Sequence, residues 1–155
     1  MPSTAPADAL APVIDRVDTS FLRTLVGYNA RRASLSIIEL FMERMAVYQL
    51  KVVDFSVVSL VAHNAGITSR QLCAALNVLP PNMVGLIAAL ERRGLIERRP
   101  HPTDRRAMGL HLTPDGVDLI AQAEQTASQL EVDATASLTA AERRTLIQLL
   151  QKVYD

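Results

Sequence analysis

Six arginines lie between Glu91 and Arg106, against three acids, Glu91, Glu97 and Asp104. This stretch carries a local charge of +3 in a chain of formal net charge zero, which leaves −3 on the remainder. Clustered guanidinium groups on an otherwise neutral protein form the electrostatic footprint of a phosphate-binding face. On charge alone a solvated hairpin with internal Arg–Glu pairs fits equally well, and the elements around the cluster have to decide.

Those elements can be read from residues 53–116. The apolar residues of 54–64 are dense enough for a mostly buried helix that stops at Ala65-Gly66. Ile67 is placed to add a single strand pairing. Thr68 and Gln71 have the spacing of a capping box, followed by a short helix with Leu72, Ala75 and Leu76 on one stripe and Asn77 as its stop. A second helix starts at Leu79-Pro80-Pro81, turns Met83, Leu86, Ile87 and Leu90 inward, and closes at Gly94. Two strands follow, Leu95 to Arg99 and Ala107 to Leu112, joined by Pro100-His101-Pro102-Thr103-Asp104. In the second strand Met108, Leu110 and Leu112 alternate with Ala107, Gly109 and His111, the period of a half-buried strand. Two short helices joined by a tight turn and leading into a hairpin make a helix-turn-helix with a wing. Together with the arginines, they indicate DNA binding.

The segment AALERRGLIERRPHPTDRRAMGLHLTPDG resembles the wing region of the MarR family of bacterial winged-helix transcription regulators. The Asp104-x-Arg106 pair, the preceding ERRGLIERR and the following LTPDG carry the likeness, which extends more weakly over residues 18–154. The resemblance implies a homodimer on a palindromic double-stranded operator, with repression relieved by a small ligand. It implies that Arg106 enters the minor groove and that Asp104 holds it by a charge-assisted hydrogen bond. Arg105 and Arg98 would contact phosphates, and the helix from Pro80 to Arg93 would lie in the major groove. Ser69 and Arg70, opening the first short helix, complete the expected contacts.

One departure from the family pattern stands out. Family recognition helices usually open with polar or basic residues, whereas this one reads Leu79-Pro80-Pro81-Asn82-Met83-Val84-Gly85, with no Lys or Arg between Arg70 and Arg92. Asn82 can pair bidentately with adenine, Pro81 and Val84 can touch thymine methyls, and Gly85 and Ala89 permit close backbone approach. Few direct hydrogen bonds to bases are expected, with more reliance on groove shape. Pro80-Pro81 is equally well read as a helix start only.

The flanking regions provide pairing surfaces. Residues from Val17 to about Ala46 read as one helix with apolar residues throughout and Thr19 or Ser20 as cap; about 28 residues give a rod of ~42 Å, more than a small domain covers alone. Thr113-Pro114-Asp115-Gly116 starts another helix, reaching about Ala136, and Thr139 with Glu142 caps a last one carrying Leu146, Ile147, Leu149, Leu150 and Val153. The expected architecture is mainly α with a small β-wing: a loose arm over 1–16, a dimerisation region over 17–52 and 113–155, and a winged helix-turn-helix over 53–112.

Within the first helix, Arg31 and Arg32 interrupt apolar turns. They read either as an anion site with Tyr28 alongside or as surface or dimer arginines. The family's effector pocket would be lined here by Tyr28, Arg31, Arg32, Leu35, Phe55 and Ser59, suited to an aromatic acid, phenol or thioester. The single cysteine, Cys73, allows no intrachain disulfide and reads as a small buried hydrophobe rather than a redox switch. His63, His101 and His111 have no metal-ligand spacing, no cofactor is implied, and no G-x-S-x-G, phosphate loop, H-E-x-x-H or CxxC appears, so an enzyme is not expected. Residues 1–12 lack the basic and apolar regions of a signal peptide, and no apolar run reaches the ~18 residues of a membrane span, so a cytoplasmic protein is expected. A winged helix used only for protein contact is the alternative, since fold does not dictate function.

Overall fold

The computed structural model describes residues 16–100 and 108–154 and divides the chain into two compact units, Met1–Ser34 and Leu35–Asp155. The loose arm expected over residues 1–16 lies, except for Arg16, outside the described residues, as does the wing tip with Asp104, Arg105 and Arg106.

In the first unit the single helix expected from Val17 is interrupted. A short α1 (Ser20–Arg23) is followed by a break at Thr24-Leu25, and α2 (Val26–Met45) begins beyond it. Polar side chains account for the break. Thr24 Oγ1 donates to the Phe21 carbonyl at 2.7 Å, and Asn29 Nδ2 donates to the carbonyls of Arg23 and Leu25, both at 2.8 Å. The Arg23 carbonyl would otherwise serve an unbroken helix, so these bonds compete with it. Thr19 occupies the N-cap position without a capping side-chain bond; Asp18 performs that task, accepting from the Ser20 amide at 2.8 Å. This bond holds the Asp18 carboxyl below its ordinary value. At 20 residues α2 is about 30 Å long.

The second unit carries the core. After α2, one 3₁₀ turn (Ala46–Tyr48) and Gln49 at φ +53° redirect the chain into α3 (Val52–His63). The capping box of α4 (Ser69–Leu76) forms as read: the Thr68 amide donates to Gln71 Oε1 at 2.9 Å and the Gln71 amide to Thr68 Oγ1 at 3.3 Å. Asn77 closes α4 in the left-handed region at φ +50°. Pro80 opens α5 (Pro80–Arg92), and Gly94 at φ +68° turns the chain toward the sheet. Strands β1 (Ile96–Pro100) and β2 (Met108–Leu112) pair antiparallel with Ile96 opposite Leu112, and Ile67 adds the expected single bridge, to Leu110.

Met45, Leu50, Val57, Val58, Val61, Leu72, Met83, Ile87, Leu90, Leu110, Ala123 and Leu130 are all almost fully buried. They tie α2, α3, α4, α5, β2 and α6 (Pro114–Ala134) into one cluster. Each large apolar side chain so buried contributes roughly 1.5–3 kcal/mol before chain entropy is counted. The alternation expected in β2 holds only near the body. Leu110 is 2% exposed, whereas Met108 is 44% exposed because the hairpin has run past the elements that would cover it. Gly109 is buried instead, since the Gly66 backbone presses on it: a Cβ at 109 would stand 2.8 Å from the Gly66 carbonyl oxygen.

The corner between β2 and α6 is tightly built. Thr113 Oγ1 accepts from the Gly116 amide at 3.0 Å and donates to the Gly94 carbonyl, while the Thr113 amide donates to the Leu95 carbonyl at 3.1 Å. A Cβ on Gly116 would overlap that same Leu95 carbonyl. Farther along, Arg44 of α2 meets Asp133 of α6 at 2.6 Å, and Gln129 together with Arg44 holds the Asp133 carboxyl below its ordinary value. The last helix, α7 (Ala140–Tyr154), has its Thr139–Glu142 capping box but buries no residue; Leu146, Ile147, Leu149, Leu150 and Val153 all lie open. Among the described residues no single helix is long and apolar enough to cross a membrane.

Replacing Gly116 by Ala forces α6 away from the Leu95 carbonyl and should lower stability by about 1–3 kcal/mol, the usual cost of overpacking. Urea denaturation checks this, and an unchanged midpoint would show that the corner yields without cost.

Candidate nucleic-acid interface

The turn between α4 and α5 places the two helices of a helix-turn-helix, with the core residues Leu72, Met83, Ile87 and Leu90 fixing which sides face inward. The outward side of α5 presents Pro81, Asn82, Val84 and Gly85, all exposed. Ser69 is half-buried in the first turn of α4, and Arg70 beside it is exposed. The structure therefore brings the sequence-read contacts of α4 and α5 to the accessible parts of the motif.

The arginine cluster is divided by its partners. Arg98 is held by Glu91 through two bonds, Nε to Oε1 at 2.9 Å and Nη2 to Oε2 at 3.2 Å, a fork-to-fork pair across seven residues. Arg99 pairs with Glu97, Nε to Oε1 at 2.8 Å. Arg93, at the C-cap of α5, turns away from the outer face: Nη1 donates to the Gln49 carbonyl and Nη2 to the Tyr48 carbonyl, both at 2.8 Å. Its guanidinium thus joins the end of α5 to the bend after α2. The internal Arg–Glu pairing open at the sequence level is real for Arg98 and Arg99. Arg105, Arg106 and Asp104 fall outside the described residues.

The residues read as a ligand site divide between the units. Tyr28, Arg31 and Arg32 belong to the first unit, where Tyr28 is half-buried and both arginines are exposed. Leu35, Phe55 and Ser59 belong to the second. Leu35 is open; Phe55 stacks edge-on against Phe41 with ring centroids 5.5 Å apart; Ser59 Oγ donates to Glu124 at 2.6 Å, and the same carboxylate oxygen lies 2.9 Å from His63 Nε2. His63 therefore joins α3 to α6. A cleft not anticipated from sequence lies between the end of α2, the start of α3 and the end of α4. It measures about 450 Å³ and is lined by Met42, Lys51, Val52, Val53, Ser56 and Leu76. No local pattern marks it, because its walls come from three separate elements. Cys73 is half-buried, and no group of three or more potential metal ligands occurs among the described residues.

The MarR-family sequence profile matches residues 48–107, which include α3, α4, α5 and β1. Over 91% of this chain and all of the other, the fold superposes with a TM-score of 0.84 and 33% identity on a transcriptional repressor, CouR, bound to a 23-mer DNA duplex. The chain belongs to the MarR family. A candidate regulatory protein for the hcr operon of Thauera aromatica is 33% identical over 130 residues, covering 83% of this chain and 78% of that protein. The structure of Bordetella bronchiseptica BpsR, described for regulation of its DNA binding by 6-hydroxynicotinic acid, matches with a TM-score of 0.78 and 25% identity, over 94% of this chain and 99% of that one. The chain is accordingly a winged-helix, DNA-binding transcription regulator.

Because Arg93 is committed to two carbonyls, Arg93→Gln should reduce stability by about 1–2 kcal/mol while leaving the salt dependence of duplex binding unaltered. A phosphate-binding arginine would instead lower the slope of log K against log salt by about 1. Fluorescence anisotropy across a salt series separates the two.

Proposed function

We propose that this MarR-family member is a homodimeric repressor that binds a palindromic operator and is released from it by a small aromatic acid. One observation carries the dimer: apolar side chains lie open along α7 and in the N-terminal unit. Val17, Phe21 and Val26 of the first unit, and Val153 of the second, are each more than two-thirds exposed, apolar surfaces that a single copy leaves in water. Two copies sharing those faces present two α5 helices for successive major grooves about 34 Å apart. In this reading Ser69, Arg70, Pro81, Asn82, Val84 and Gly85 meet the groove, Arg98 and Arg105 meet phosphates, and Arg106, held by Asp104, enters the minor groove. Arg98 keeps its Glu91 partner as a positioning group or exchanges it for phosphate on binding.

Support for an aromatic acid comes from the BpsR relative, whose DNA binding is described as regulated by 6-hydroxynicotinic acid. In this chain the cleft of Met42, Val52, Val53 and Leu76 has apolar walls and one ammonium group, Lys51, which suits an anion with an apolar body. The anion candidates of the first unit, Tyr28, Arg31 and Arg32, are the competing location. A ligand that prefers one spacing of the two recognition helices shifts the dimer toward it, and DNA affinity falls by that difference. Protein contact without DNA is the disfavoured reading, because the fold match is to a repressor bound to duplex.

Two measurements test this. Arg106→Ala should abolish operator binding in a gel shift while the dimer persists by light scattering; normal affinity would discard the wing assignment. In a thermal-shift panel of hydroxylated aromatic acids, an acid that raises Tm should also release duplex. Loss of its effect in Lys51→Met assigns the cleft, loss in Arg31→Ala or Arg32→Ala assigns the first unit, and no response to any acid removes this ligand class.

A further inference from the structure

The outer side of α5 has an unusual composition for a surface that meets a polyanion. With Met83, Ile87 and Leu90 buried, the helical period sets Pro81, Gly85, Ala88 and Arg92 opposite them, flanked by Asn82 and Val84. From Leu79 to Leu90 Asn82 is the only polar side chain. Leu79 is 71% and Val84 57% exposed. A Cβ on Gly85 would meet nothing within 4 Å, so packing within the chain does not demand glycine there. Its effect is to thin the outer face beside Val84.

We infer that α5 selects its site mainly through thymine C5-methyl groups, contacted by Val84 and Pro81, with Asn82 fixing an adjacent adenine. The inference rests on the DNA-binding role of α5. The physical reason is the inventory of the major groove. Its floor offers hydrogen-bonding edges and one apolar group, the thymine methyl. A face with a single amide can satisfy few of those edges, and every polar base atom it covers without a partner costs affinity. Val84 against a methyl has no such cost, and both surfaces leave water together. Gly85 lets the helix sit deep enough for a short side chain to reach the base.

The test begins with the full-length protein and a pool of duplexes with a randomised centre. A site enriched from the pool is then remade with deoxyuridine for every thymidine, which keeps each hydrogen-bonding edge and removes only methyls. The wild type should lose about fourfold in affinity per contacted methyl. In Val84→Ala, an exposed position whose folding is checked by Tm, binding to the thymidine duplex should weaken and the thymidine-to-uridine ratio should fall toward one. Equal wild-type affinity for both duplexes overturns methyl readout while leaving DNA binding intact. A ratio unchanged in both Val84→Ala and Pro81→Ala also overturns it, since the methyls would then act through DNA shape. Failure to enrich any sequence, with no duplex binding even at low salt, overturns the DNA-binding role of α5 itself.

Discussion

The corner at Gly94-Leu95 and Thr113–Gly116 constrains the rest of the reading lobe. Here the first turn of α6 meets the backbone that leaves α5, at a distance only a residue without Cβ tolerates. Thr113 closes the corner from both sides, accepting from the Gly116 amide and donating to the Gly94 carbonyl. The end of α5, the root of the wing and the start of the long α6 are therefore joined at one corner. A second close approach, Gly109 on the Gly66 backbone, ties the wing to the segment between α3 and α4. Glycines at these two positions let strands and helix turns pack at backbone distance, which side chains would prevent.

Against that frame the arginines serve two purposes. Arg93 satisfies the carbonyls of Tyr48 and Gln49, where a left-handed Gln49 leaves backbone acceptors without helical donors. The Tyr48 hydroxyl in turn lies 2.8 Å from Thr126 Oγ1 of α6. A continuous set of polar contacts thus runs from the end of α5 through the bend to α6. Arg98 and Arg99 are neutralised in part by Glu91 and Glu97, so the net field of the hairpin is weaker at its base than the count of guanidinium groups implies. The outer face of α5 from Pro81 to Ala88 carries no charged side chain.

Much of the lobe was legible because its signals are local. The Thr68–Gln71 box, Asn77 as a left-handed stop, Pro80 opening α5 and Gly94 closing it each depend on neighbours three or four residues away, and each forms as the residue types require. Other features were not legible. The break at Thr24-Leu25 turns on Asn29 reaching back to Arg23, a bond that competes with the apolar periodicity of an unbroken helix. Met108 follows the alternation of β2 but lies open, since alternation states which side a residue takes and not whether anything covers it. On α3, Ser59 meets Glu124 and Phe55 meets Phe41, partners from distant elements that no local pattern announces.

By itself, the sequence determined the elements from α3 onward, the caps of α4, α6 and α7, the helix-turn-helix with its wing and the family, because hydrophobic period and turn chemistry act over a few residues. Tertiary structure alone decided which arginines are spent on carbonyls and carboxylates, which glycines carry backbone contacts, and where an apolar cleft opens. Arg93 with Gln49, Gly116 with Leu95 and the walls of the cleft each join groups far apart in the chain, at distances that folding sets and local residue order does not encode.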